Sequence, residues 1–265
     1  DEKGKVHQQW FGKTVIRSDR RFAYEEAQEV IENSKGELEK EILTLDRIAK
    51  VLRENRMKKG GLEVGGSEVR FVLDDDGQPV EVVKKTQKDA NKLIEEYMLL
   101  ANRSVGKYLG DVNNPKKKPV ELIYRVHDRP DIEKVQQFAV FVSKFGKSFR
   151  FKDDRDIATQ MNILFDEMRG EASFGMIQSM AIKSMSKAVY DTENIGHYGL
   201  GFDYYAHFTS PIRRYADLIV HRALFNDLNK SKKQIPKMKQ VADHISQTER
   251  RAVEAERTSS KYFQA

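Results

Sequence analysis

The hydropathy pattern predicts an α+β fold, a mixed sheet with many surrounding helices, and three observations carry that prediction. Apolar residues recur at helical spacing over most of the 265 residues. Strand-like runs rich in β-branched residues are few and short. One Asp-Gly pair sits between two such runs, the mark of a hairpin. No internal repeat divides the chain, and its length suits one large domain or two small ones.

The elements follow in order. Residues 6–17, with β-branched and aromatic side chains around Gly12, predict strand, turn and strand. Asp19 is placed to cap a helix over 20–32, whose stripe is Phe22, Ala23, Ala27, Val30 and Ile31. A second helix over 37–57 carries Leu38, Ile42, Leu45, Ile48, Ala49 and Leu52, and Gly60, Gly61, Gly65 and Gly66 end it. Strands at 69–73 and 80–83 flank Asp74-Asp75-Asp76-Gly77, which reads as a turn in preference to a cation loop.

A long helix over 89–109 has Leu93, Ile94, Tyr97, Met98, Ala101 and Val105 on one side, and 113–119 is a solvated loop. A buried strand over 122–126 precedes helices at 132–145, 154–168 and 174–190, the middle one capped by Asp153 or Asp154. Met176, Met180 and Met185, with Ile177, Ala181 and Ile182, are read as core. After an irregular 194–208 segment, a helix over 211–228 and a highly charged one from Met238 onward complete the chain.

Composition excludes several function classes. Cysteine is absent, which removes disulfides, thiolate zinc sites and a Cys nucleophile, and it favours a reducing compartment such as the cytoplasm. No apolar run reaches the roughly 20 residues of a membrane-spanning helix, so a soluble protein away from the membrane is expected. There is no His-Glu-x-x-His helix, no Gly-x-Ser-x-Gly elbow and no Gly-Lys-Ser/Thr phosphate loop. The six histidines lack metal-ligand spacing. A net charge of +6, from 47 basic and 41 acidic residues, is compatible with polyanion binding without requiring it.

The chemically informative stretch is residues 204–222. Thr209 or Ser210 stands where a helix N-cap belongs, and Pro211 suits the first helical position. Arg213 and Arg214 would then lie in the first turn, where cations oppose the helix dipole by about 0.3–1 kcal/mol each. A bound phosphate explains them: backbone N–H groups and two guanidinium forks would share it. The alternative is a row of surface ion pairs with Asp217 and His221. Tyr198, Phe202, Tyr204, Tyr205, Phe208 and Tyr215 crowd the approach, as either base-stacking rings or core.

The motif His197-Tyr198-Gly199-Leu200, then Tyr205-Ala206-His207-Phe208-Thr209-Ser210-Pro211-Ile212-Arg213-Arg214-Tyr215 with Asp217 and His221, resembles the catalytic-domain signature of the ribonuclease II and ribonuclease R family. Thr14 to Tyr24, Lys92 to Glu96 and Thr248 to Ala252 fit as well, closest to the bacterial ribonuclease R members. The resemblance implies that residues 1–265 form the C-terminal portion of an RNB catalytic domain. It implies a processive, magnesium-dependent 3′→5′ exoribonuclease acting on single-stranded RNA as a monomer.

By the same resemblance Arg213 holds phosphates beside the scissile bond and Glu256 lies near the RNA end. Tyr24 and Glu95 contact nucleotides along the channel, joined by Thr209, Ser210, Arg214, Tyr205 and Tyr215. Val64 stands where relatives often place a base-clamping phenylalanine. The aspartate cluster that holds Mg2+ in the family has no match here, so the metal is expected on residues upstream, and the isolated chain is expected to bind RNA weakly without hydrolysing it. By the resemblance, the oligonucleotide-binding-fold domain that follows in relatives is expected to lie beyond these residues. A non-catalytic RNA-binding protein and a DNA-binding regulator using the 211–228 helix are the rivals.

Overall fold

A computed structural model describes residues 1–63, 68–115, 117–231, 233, 235 and 237–264. Val64, the expected clamp position, lies outside them. The first helices are α1 (Tyr24–Asn33), α2 (Glu39–Lys58) and, after a hairpin, α3 (Asp89–Gly110). The hairpin consists of β1 (Glu68–Leu73) and β2 (Pro79–Lys85), antiparallel, with Phe71 opposite Val82. Asp74 closes its turn by accepting from the backbone N–H of Asp76 (3.1 Å) and Gln78 (2.7 Å), so the aspartate run is a turn.

A short ribbon pairs β3 (Tyr124–Val126) with β4 (Val189–Asp191), antiparallel, and His127 extends it by a parallel bridge to His197. Between them lie α4 (Ile132–Ser143), α5 (Asp154–Glu167) and α6 (Phe174–Ser184). α7 (Tyr215–Leu228) and α8 (Met238–Gln264) follow. The helix-rich α+β architecture, with small sheets and mixed pairing, is the one the sequence predicts.

Several local expectations are corrected. Residues 6–17 form no strand: Val15 and Ile16 are exposed and the segment has no ladder partner. α1 begins at Tyr24, not residue 20, because Glu26 reaches back to the Ala23 N–H (2.7 Å) and sets the cap there; Asp19 pairs with Arg17 instead. α6 stops at Ser184, and the residues assigned to its end become β4. Met176 and Ile182 are about half exposed, outside the core. Asp153 does cap α5, accepting from Arg155 (2.9 Å) and Asp156 (3.0 Å).

Three apolar clusters hold these elements. Val135, Phe138 and Val142 of α4 pack with Ile157, Met161 and Leu164 of α5 and Ile177 and Ala181 of α6. Val105 and Leu109 of α3 pack with Leu122, Val126, Ala206 and the inner face of α7. Ile123 and Tyr190 join Ala216 and Ile219 of α7 to Met238, Ala242 and Ile245 of α8. The chain between residues 205 and 214 crosses beside the second cluster. Gly106 makes that crossing possible, since a Cβ there would stand 3.1 Å from the Ala206 backbone nitrogen.

Candidate functional site

The segment Thr209 to Arg214 is not the start of a helix. Arg213 and Arg214 donate their backbone N–H groups to the Ser210 carbonyl (3.3 and 3.0 Å), which closes one turn. Arg214 then takes an extended conformation and becomes the N-cap of α7. Asp217 causes this arrangement: its side chain, 0% exposed, accepts from the Ser210 N–H and the Arg214 guanidinium, both at 2.7 Å. Thr209, Ser210 and Pro211 therefore precede the helix, and the arginine-bearing first turn expected from the sequence is replaced by an arginine-bearing loop.

The surface row of ion pairs does not form. Asp217 binds Arg214, and His221 bonds the Phe208 carbonyl (2.9 Å) with its ring stacked on Phe208. Ile212 and Arg213 are exposed at the loop tip, and Tyr215 is half exposed beside them. Among the described residues no carboxylate pairs with the Arg213 guanidinium.

Asn102 of α3 holds the other end of the loop. Its side-chain oxygen accepts from the N–H groups of Phe208 (2.9 Å) and Thr209 (3.2 Å), and its amide donates to the Tyr205 hydroxyl (3.1 Å). Tyr205 is buried against His197, Phe202 and His207, so its ring is interior packing and not an open stacking face.

Behind the loop lies a partly buried group of imidazoles and guanidiniums. His207 bonds the Tyr190 hydroxyl (2.8 Å), and burial, with the charges of Arg214, Arg125 and Arg213, pushes its pKa down to about 2. Burial, His127 and Arg125 push His197 down to about 3. Both imidazoles are neutral at pH 7. Arg125 pairs with Glu249 (2.6 Å) and sits over the Tyr190 ring. Among the described residues, Thr209 Oγ1, Arg214 Nε and Asp217 Oδ2 are buried without a partner.

An open cleft of about 1200 Å3 lies between α2, α3, α5, α6 and the turn 197–200. Arg53, Lys58, Lys92, Glu95, Arg169 and Gln178 are among its walls. A second, basic groove of about 690 Å3 shares Arg56 and Glu96 with it. Those two form a buried pair at 2.5 Å that ties α2 to α3.

The expected site residues thus separate. Thr209, Ser210, Arg213 and Arg214 share one loop, and Tyr215 follows it as the first residue of α7. Glu95 lines the cleft, Tyr24 is half exposed at the start of α1, and Glu256 is exposed on the distal part of α8. No hydrogen bond or ion pair joins these three to the loop among the described residues. Sequence reasoning missed Asn102, Arg125 and Arg56. A signal existed for two of them: Asn102 interrupts the Leu99, Val105, Leu109 stripe, and Arg125 interrupts a buried strand.

Magnesium requires hard oxygen ligands. Among the described residues no group of three or more His, Asp or Glu side chains is placed to hold a metal.

The RNB domain model matches residues 1–230. The chain belongs to the RNB family. DIS3-like exonuclease 2 of Schizosaccharomyces pombe is 35% identical over 99% of this chain and 30% of its own length. Ribonuclease R of Thermotoga maritima is 33% identical over 97% of the chain and 37% of its length. The chain therefore spans about a third of these curated relatives. Among solved structures, the apo form of Mycoplasma genitalium RNase R superposes with a TM-score of 0.81 at 25% identity, covering 92% of this chain and 39% of that one. Yeast Ssd1, described as a pseudonuclease, shares the fold with a TM-score of 0.67 at 19% identity, covering 92% of this chain and 30% of that one.

Proposed function

We propose that this chain is the RNA-holding, C-terminal portion of the catalytic domain of a processive 3′→5′ exoribonuclease that releases 5′-mononucleotides from single-stranded RNA. The observation that carries the reading is the state of Arg213. Arg125 and Arg214 around the neutral His207 each have a carboxylate partner, whereas Arg213 projects from a pinned loop with none among the described residues. A guanidinium held this way is suited to a phosphate, which it grips by two parallel, charge-assisted hydrogen bonds.

In this reading Tyr215 and Tyr24 offer half-exposed rings to bases. Glu95 repels phosphate, so it would accept from a ribose hydroxyl or a base amino group in the cleft. Glu256 would stand near the RNA end. Tyr205, Thr209, Ser210 and Arg214 serve by shaping the loop. The magnesium of the complete enzyme would be held by carboxylates outside these residues, and the protein would act as a cytoplasmic monomer. No described helix is long and apolar enough to cross a membrane.

A non-catalytic RNA-binding role is the second reading, since a neighbour described as a pseudonuclease shares the fold. Incubating the chain with 5′-labelled single-stranded RNA and magnesium separates the outcomes. Retention without a ladder is expected of the isolated chain. A chelator-sensitive ladder would place the whole catalytic apparatus in these residues, and loss of retention would end the RNA-holding reading. Joining the chain to the aspartate-bearing segment of an RNB-family relative distinguishes enzyme from binder by whether a 3′→5′ ladder forms.

A further inference from the structure

We infer that Asn102 is a positioning residue for the reaction proposed above: it sets the conformation of the Arg213 loop from α3, the helix that also places Glu95 in the cleft. The inference rests on that functional reading for its consequence, and on hydrogen-bond geometry alone for its cause.

Asn102 is 2% exposed, on a helix face otherwise made of Leu99, Val105 and Leu109. A polar side chain there costs folding free energy unless it is satisfied, and this one is satisfied by a single target. Its oxygen takes two consecutive backbone N–H groups, Phe208 at 2.9 Å and Thr209 at 3.2 Å. Its amide donates to the Tyr205 hydroxyl at 3.1 Å. All three partners lie within the five-residue stretch 205–209, just before Arg213 and Arg214, and their sequence separation from Asn102 exceeds 100 residues.

The second pin comes from the opposite side. Asp217 of α7 holds the Ser210 N–H and the Arg214 guanidinium. Residues 205–209 are thus fixed to α3 and residues 210–214 to α7, and the unheld tip between the last two attachments carries Ile212 and Arg213. Gly106, one turn beyond Asn102 on α3, lets the helix approach the Ala206 backbone closely enough for the three bonds to form.

The geometry also links two regions of the proposed site. Glu95 and Asn102 are seven residues apart on α3, nearly two full turns, so they lie on almost the same face about 10 Å apart along the axis. A displacement of the loop relative to α3 would therefore change the spacing between Arg213 and the cleft wall. Asn102 would act on RNA only through that spacing, and it touches no substrate itself.

A double-mutant cycle tests this. Affinity of the full chain for single-stranded RNA is measured for Asn102→Ala, Arg213→Ala and the pair, with thermal melts confirming a folded state. Asn102→Ala should weaken binding about tenfold in the parent and hardly at all in the Arg213→Ala background, because coupled residues are non-additive. Equal losses in both backgrounds would overturn the inference. If Asn102→Ala does not fold, Asn102→Leu, similar in volume and unable to accept from Phe208 and Thr209, is used in the same cycle and judged by the same criterion.

Amide hydrogen exchange supplies a readout independent of RNA. Phe208, Thr209 and the Ser210 to Arg214 segment should lose protection in the Asn102 variant while α5 and α6 keep theirs. Unchanged exchange across that loop would sink the positioning role even if RNA binding fell. Should Arg213→Ala leave affinity unaltered, the RNA-holding reading fails, and the exchange experiment still decides whether Asn102 holds the loop.

Discussion

The β1–β2 hairpin is held by a local ladder of backbone bonds, whereas the 205–214 loop has no regular structure and is held by side chains from α3 and α7. In the hairpin Val80 and Val82 are 62% and 63% exposed, and its described aromatic contact is Phe71 against Phe263 of α8. In the loop the pins from Asn102 and Asp217 end on buried side chains, and the exposed residues are those available to a ligand. Long-range pins from a packed scaffold fix a functional group better than local regularity does, because they carry the rigidity of the core into the loop.

The largest expected break of this contrast is Asp217→Ala. It removes the carboxylate that satisfies Ser210 and neutralises Arg214, and unpairing a buried charge costs about 3–5 kcal/mol. A denaturant titration checks it; a loss below about 1 kcal/mol would show that the α7 pin is dispensable.

Acid should loosen the same region before the hairpin. His197 and His207 have folded-state pKa values near 3 and 2, below the unfolded value of about 6.5. Between those limits the unfolded state binds protons that the folded state refuses, so stability is full above pH 6.5 and falls as the pH drops. From pH 7 to 5 each histidine should remove about 2 kcal/mol. A pH series of unfolding midpoints tests it, and His207→Phe should flatten the slope.

Gly106→Ala sharpens the comparison from the packing side. Its Cβ would crowd the Ala206 nitrogen at 3.1 Å, and overpacking of this kind costs about 1–3 kcal/mol. Thermal melting and loop hydrogen exchange should respond together. At the small end, Val82→Thr in the hairpin should change stability by less than about 0.5 kcal/mol, as exposed substitutions do. A larger effect in unfolding titrations would mean that the hairpin carries structural weight.

The hairpin was legible in the sequence because its information is local: Asp74 to Gly77 and the β-branched flanks specify it without reference to the rest of the chain. The helices were legible for the same reason, through their stripes. The failures share a different cause. Residues 6–17 have strand composition, but a strand depends on a partner that composition does not reveal. The Pro211 helix start was misplaced because Asp217, seven residues downstream of Ser210, overrides the local capping preference with a tertiary hydrogen bond. Of the candidate site, the loop residues could be read from their motif, but Tyr205 belongs to the interior. Asn102 went unnoticed because its partners are over 100 residues away.

The central claim is that Arg213, projecting from a doubly pinned loop without a carboxylate partner among the described residues, holds an RNA phosphate. Its most direct test is the affinity of the chain for single-stranded RNA across a range of salt, for the parent and for Arg213→Ala. Each lost phosphate contact on a single strand lowers the slope of log K against log salt by about 0.7. The account predicts weaker binding with a slope shallower by about that amount; an unchanged slope would contradict it, whatever happened to the affinity.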